Sequence, residues 1–162
     1  MLKRALTAFL LVLALAAGQV ARPAAAVENL VNVPNDDPEM AAAIAKARAS
    51  LPAFWKEWEA PKAGEEGFAL KVRIPYGANN GEHFWLVEIQ RAGARYSGII
   101  NNEPVYAKQV KAGQRYEFGD AEISDWLFMR NGKMVGNETM RPVLKQLPKE
   151  EADEYRQIME TP

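Results

Sequence analysis

The chain has no cysteine and a single histidine among its 162 residues. Without cysteine there can be no disulfide, thiol nucleophile, cysteine-ligated zinc or lipid-modified N-terminal cysteine of the bacterial lipoprotein kind, so packing alone must hold the fold. With His83 as the only histidine, two-histidine zinc motifs cannot be assembled within one chain, and a Ser-His-Asp triad would have to use that residue. No Gly-x-Ser-x-Gly elbow, phosphate-cradling glycine loop or dinucleotide fingerprint occurs, so the sequence gives no reason to expect a cofactor or a metal. Long apolar runs are also missing. The longest, Ala5 to Ala17, is interrupted by Thr7 and spans 13 residues, short of the ~18 to 20 that a bilayer-crossing helix needs.

That short run has the surroundings of a secretory signal peptide: Lys3 and Arg4 before it and the small residues Ala24-Ala25-Ala26 after it. Cleavage near Ala26 would leave 136 residues, enough for one domain. The expected organisation is a signal peptide over 1–26, an extended lead-in over 27–37 and one domain over 38–162. An alanine-rich leader of this kind points to a bacterial periplasm, with full secretion as the alternative. The leader carries Lys3, Arg4 and Arg22 and no acid, so 17 of the 20 basic side chains remain against 21 acidic ones, a net charge of −4. That balance argues against nucleic acid, whose phosphates must be neutralised by clustered Lys and Arg.

Along the mature chain, Asp37 can cap a helix whose first residue is Pro38. Met40, Ile44, Ala47, Leu51, Phe54 and Trp58 then recur at steps of three and four, the spacing of one helical face. Pro52 predicts a kink there, or two helices with Ser50 capping the second. Trp55 and Trp58 are expected to cover the sheet that follows. From Phe68 the period becomes two: Phe68, Leu70, Val72 and Ile74 alternate with Ala69, Lys71 and Arg73, a strand with one apolar face. Further strands are expected at Phe84–Ile89, Tyr96–Asn101, Gln114–Phe118 and Ile123–Arg130, with a short return over Val105–Val110. Asn131-Gly132 signals a tight hairpin into Met134 and Val135. Asn137 is expected to cap a short helix through Leu147, and Pro148 to start a final one. Close spacing favours antiparallel neighbours. The expected fold is therefore α+β: an antiparallel curled sheet of five to six strands, open or half closed into a barrel, with a kinked N-terminal helix and two C-terminal helices packed on one face.

Several short blocks in order resemble one family. They are Ala47-Arg48-Ala49-Ser50-Leu51-Pro52-Ala53-Phe54, Phe68-Ala69-Leu70-Lys71-Val72, His83-Phe84-Trp85, Gly98-Ile99-Ile100-Asn101-Asn102-Glu103-Pro104 and Ile123-Ser124-Asp125-Trp126, followed by Gly132, Gly136-Asn137 and Arg141. The stretch 47–141 resembles the bacterial family called domain of unknown function 2314, or YegJ-like. The resemblance implies a place among bacterial proteins and no particular activity or ligand.

Candidate functional residues are few. Asn101, Asn102 and Glu103, ahead of Pro104, put two amides and a carboxylate at the end of an apolar strand, where they could hold a sugar, a peptide backbone or another small polar ligand; turn chemistry accounts for the same residues. Glu103 and Asp125 could act as a carboxylate pair on an envelope glycan, while the plainer reading has Asp125 bonding nearby backbone donors and Glu103 capping the Pro104 bend. His83 reads as a hydrogen-bonding group at a strand mouth whose charge could follow pH. Trp126 divides between core anchor and exposed binding aromatic, with Leu127-Phe128-Met129 favouring the core. Arg73 or Arg141 could form an internal pair with Asp125 or Glu103. The preferred function is a non-enzymatic binding module for an envelope protein or small polar ligand. The alternative is a small carboxylate-dependent hydrolase. The sequence leaves the oligomeric state open.

Overall fold

The computed structural model describes residues 37–78 and 80–161; the signal peptide and residues 27–36 of the expected lead-in lie outside them. Helix α1 runs Pro38–Glu59, with the Asp37 carboxylate accepting from the amides of Glu39 and Met40 at 2.8 and 3.0 Å, so the expected cap is formed. The helix is continuous through Pro52, and the two-helix reading is not what forms. Pro52 and Arg48 are both exposed, so the carbonyl four residues back that loses its donor can turn to water. On the opposite side Ala47, Leu51 and Phe54 are buried and hold the helix on the sheet. Ser50 caps nothing. Its hydroxyl bonds back to the carbonyls of Lys46 and Ala47, both at 3.0 Å.

Six strands follow: β1 Glu65–Tyr76, β2 Asn80–Ala92, β3 Arg95–Ile100, β4 Arg115–Phe118, β5 Ile123–Arg130 and β6 Lys133–Gly136. They form one antiparallel sheet in the order β4-β3-β2-β1-β5-β6, which does not close on itself. The Asn131-Gly132 hairpin forms as expected, Arg130 facing Lys133 and both turn residues holding positive φ, 49° and 77°. Val105–Val110 is not a strand. It lies in an irregular loop between β3 and β4, because Pro104 cannot donate to a ladder and the next three amides are drawn to a side chain. Asn137 is not a helix cap either: it sits at φ 53° with its amide against Met134 Sδ, and helix α2 spans only Met140–Val143. Helix α3 is Lys149–Ile158, entered from Pro148.

The helices are divided between the two sheet faces rather than gathered on one. Leu51 and Phe54 of α1 pack with Leu70, Val72, Phe84, Leu86, Ile123, Trp126 and Phe128. Trp55 stacks on Tyr96 with centroids 4.7 Å apart, so the tryptophans do cover this face. On the other side Met140 and Val143 of α2 and Ala152 of α3 pack with Ala69, Trp85, Leu127 and Met134. The reason lies in the central strands, where the unbroken apolar triplets Phe84-Trp85-Leu86 and Trp126-Leu127-Phe128 give each face something to bury. After α3, Met159 makes a parallel bridge to Met134 and the Glu160 amide donates to the Met134 carbonyl at 2.8 Å, covering the outer edge of β6. Among the described residues no helix is long and apolar enough to cross a membrane.

Candidate functional site

The Asn101–Pro104 bend opens a loop that is fastened at many points. Beyond β3 the Asn101 amide donates to the Trp85 carbonyl at 2.8 Å, and the Asn102 side-chain oxygen accepts from the Trp85 amide at 2.9 Å. Buried Asn102 therefore extends the ladder one step past the strand, an internal task that a ligand-facing residue would not have. Pro104 ends the pairing. The next three amides, of Val105, Tyr106 and Ala107, then converge on the Glu82 carboxylate at 2.7, 2.8 and 2.8 Å. This is a small anion nest filled by the protein's own acid. Glu82, not Glu103, caps the bend. Ala107 and Val110 plug into the core, the Gln109 side chain donates to the Pro75 carbonyl at 2.8 Å, and the return leg is tied to Ile100 through the amide of Gly113 and the carbonyl of Gln114.

What the fastened loop holds outward is apolar. Val105 is 47 % and Tyr106 59 % exposed, and with Ile158 of α3 they are the exposed large hydrophobic residues among those described. The Tyr106 ring lies nearly parallel to Tyr76, centroids 5.5 Å apart and planes 15° apart. Asn101 and Glu103 are exposed in the same bend, and Lys108 Nζ donates to the Pro104 carbonyl at 3.0 Å.

Beneath the sheet's second face lies a polar network that the alternating pattern conceals. Lys71 is only 8 % exposed, and its ammonium donates to Thr139 Oγ1 at 2.9 Å and lies 5.1 Å from the Trp85 ring centroid. The Thr139 hydroxyl in turn donates to Asp125 Oδ2 at 2.7 Å, and the Thr139 amide donates to the same oxygen at 2.7 Å. Asp125 Oδ1 accepts from the Trp126 amide at 2.8 Å. The result is a cation–hydroxyl–carboxylate chain joining β1, β5 and the turn before α2, with Asp125 wholly buried. Next to it His83 Nδ1 lies 2.8 Å from Ser124 Oγ, and that hydroxyl reaches the Lys71 carbonyl at 3.2 Å. Burial, followed by the nearby charges of Lys71 and Arg73, lowers the His83 pKa from 6.5 to about 4, so the ring is neutral near pH 7 and would take up a proton only in more acid solution.

The remaining candidates part company. Glu103 is exposed on the loop while Asp125 lies inside with both oxygens engaged, bonding nearby donors as the plainer reading has it, and the alternative carboxylate pair does not face a common opening. Trp126 is core: its indole N–H donates to the Ala47 carbonyl at 3.0 Å and to Ser50 Oγ at 3.2 Å, pinning α1 to β5. Arg141 finds its ion pair three residues back, Nε to Glu138 at 3.0 Å, and also donates to the Glu160 carbonyl at 3.2 Å. Glu138 in turn takes Lys46 of α1 at 3.0 Å. Arg73 lies opposite His83 in the β1–β2 register, with its guanidinium packed over Gly81. Sequence reasoning missed Lys71, Thr139, Ser124, Glu82 and Tyr106. For Lys71 a signal was available, since it shares a face with Ala69, and the neighbouring strands offer Trp85 and Leu127 to that same face.

A family model described as "Uncharacterized protein conserved in bacteria (DUF2314)" matches residues 37–160, a wider span than the 47–141 blocks and one that includes α3. The chain is 34 % identical over 129 residues to "Uncharacterized protein YegJ" of Escherichia coli strain K12, covering 80 % of this chain and 82 % of that protein. It is 30 % identical over 117 residues to a Neisseria meningitidis serogroup B protein named "Putative ankyrin repeat protein", covering 68 % of this chain and 46 % of that one. No solved structure matches. With the family model spanning nearly all the described residues and a relative aligned over most of both lengths, the chain belongs to the DUF2314 family of bacterial proteins.

Proposed function

We propose that the protein is an exported, non-enzymatic binding module of the bacterial cell envelope, and that its recognition surface is the loop between β3 and β4. The observation that carries this reading is the Glu82 nest: three consecutive amides gathered on one carboxylate hold Val105 and Tyr106 out in water. An apolar pair exposed on a loop already ordered before any contact is the arrangement of a preorganised binding surface, since little conformational freedom is left to lose on contact. Export rests on the charged, apolar and small-residue segments of the leader. The hydrolase alternative would need Asp125 to reach a substrate, and the Thr139 hydroxyl, Thr139 amide and Trp126 amide already occupy that buried carboxylate.

Two experiments test the reading. Cell fractionation of the full chain should place a processed form beginning near Val27 in the envelope compartment; retention of the unprocessed chain in the cytoplasm would refute export. Capture from envelope extract with residues 27–162 as bait, beside Tyr106→Ala and Val105→Ser variants shown to fold, should yield material that the native bait holds and the variants release. Equal retention by all three would remove the loop as the recognition surface.

A further inference from the structure

We propose that the outward face of Tyr106 is a carbohydrate platform, taking an uncharged pyranose ring of a glycan; the proposal rests on the loop being the recognition surface. The ring itself is the first ground. Tyr76 lies nearly parallel to it with centroids 5.5 Å apart, an offset stack against one side, while Tyr106 remains 59 % exposed, which leaves ring surface open to solvent. A pyranose carries a patch of C–H bonds with partial positive charge, and the negative face of an aromatic ring attracts such a patch when it is laid flat on it.

The second ground is size. An ordinary protein–protein interface buries about 800 Å² per partner around an apolar centre of several side chains. Here the loop offers Val105 and Tyr106, and the remaining exposed large apolar residue among those described, Ile158, belongs to α3. Two adjacent side chains do not make the centre of a protein interface, whereas one aromatic ring with an aliphatic neighbour matches one sugar ring.

The third ground is the polar surround. Sugar hydroxyls each donate and accept, so a site for them needs both capacities at its rim. Asn101 supplies an amide with both, Glu103 supplies acceptors, and both are exposed in the bend that leads directly into Val105 and Tyr106. Lys108, two residues beyond Tyr106, brings an exposed ammonium whose donors include the bond to the Pro104 carbonyl at 3.0 Å. The Glu82 nest and the Gln109 bond to Pro75 fasten the loop backbone beneath Val105 and Tyr106 without a ligand.

The test is a titration of the ¹⁵N-labelled mature chain with β-1,4-linked N-acetylglucosamine oligomers, cello-oligosaccharides and malto-oligosaccharides, each taken to roughly 10 mM, a range that reaches weak millimolar affinities. At least one series should bind, with amide shifts confined to residues 76 and 101–110. Tyr106→Ala should weaken that binding roughly tenfold, the scale of one aromatic contact. Tyr106→Trp should retain it, and Tyr106→Leu, apolar but without a ring face, should lose it as alanine does. Absence of binding by all three series, or equal binding by the leucine variant, overturns the carbohydrate assignment. If envelope capture still depends on Tyr106 while no sugar binds, the loop surface stands and its ligand is of another class. If capture is also indifferent to Tyr106, both readings fall.

Discussion

Replacing Glu82 by alanine should free the β3–β4 loop without unfolding the sheet. The carboxylate accepts from Val105 through one oxygen and from Tyr106 and Ala107 through the other. Hydrogen bonds to a charged group contribute about 1.5–3 kcal/mol each, net of exchange with water, and less where the freed groups are already exposed. The amides of Val105 and Tyr106 are exposed and would exchange the lost bond for water at small cost, whereas the Ala107 amide is half-buried on a residue whose side chain is wholly inside. Counting that donor nearly in full and the other two as fractions gives a local loss of about 2–4 kcal/mol. Native-state hydrogen exchange reads this directly. Protection of amides 105–107 should fall by roughly one and a half to three orders of magnitude, since each 1.4 kcal/mol is a factor of ten, while amides of β1 and β5 keep their rates. Glu82→Gln should fall between, because an amide keeps one accepting oxygen and presents a donor where the other was. Unchanged exchange at 105–107 in Glu82→Ala would refute the claim that the carboxylate orders the loop.

Three further perturbations bear on the interior. Thr139→Val removes the hydroxyl that Lys71 donates to and that Asp125 accepts from, and should lower unfolding free energy by about 2–4 kcal/mol in a denaturant titration; a loss below about 0.5 kcal/mol would mean the chain is not stabilising. The His83 ring should titrate by NMR near 4 rather than 6.5. The unfolded chain then binds the extra proton first as pH falls, so stability drops from about pH 6.5 down to about 4 by roughly 3 kcal/mol, and His83→Asn should remove that part of the pH dependence. Gly136→Ala should destabilise by more than ~2 kcal/mol in thermal unfolding, because a Cβ there meets the Trp126 carbonyl at 2.4 Å on a backbone of φ 82°.

Local chemistry proved the most legible part of the chain. Asp37 before Pro38 and Asn131-Gly132 each act through backbone groups a few residues away, and both formed as the sequence indicates. Pro52 left a kinked helix and a pair of helices as alternatives, and the break did not form because its cost depends on whether the deprived carbonyl is wet, which is a property of the packed molecule. Lys71 misled: alternation marks it as solvent-facing, yet α2 and α3 cover that face and Thr139, 68 residues away, supplies its partner. The candidate site shows the same division. Asn101 to Pro104 was visible as a break, but the acid that organises it comes from β2, 23 residues or more from each amide it accepts, and no local spacing encodes that meeting. The exposure of Tyr106 likewise depends on where that distant acid fixes its amide.

The bridge from Met159 to Met134 also governs how copies of this molecule can meet. A sheet with two available edges can add strands at both ends and grow into a fibre, whereas a sheet with one can be extended only once. Residues 159 and 160 occupy the β6 side, and among the described residues the outer side of β4 carries no paired strand. That contact makes the β6 side a poorer template for a further strand than the β4 side. Cutting the chain after Ile158 would remove that contact and leave both edges of the sheet open to a further strand.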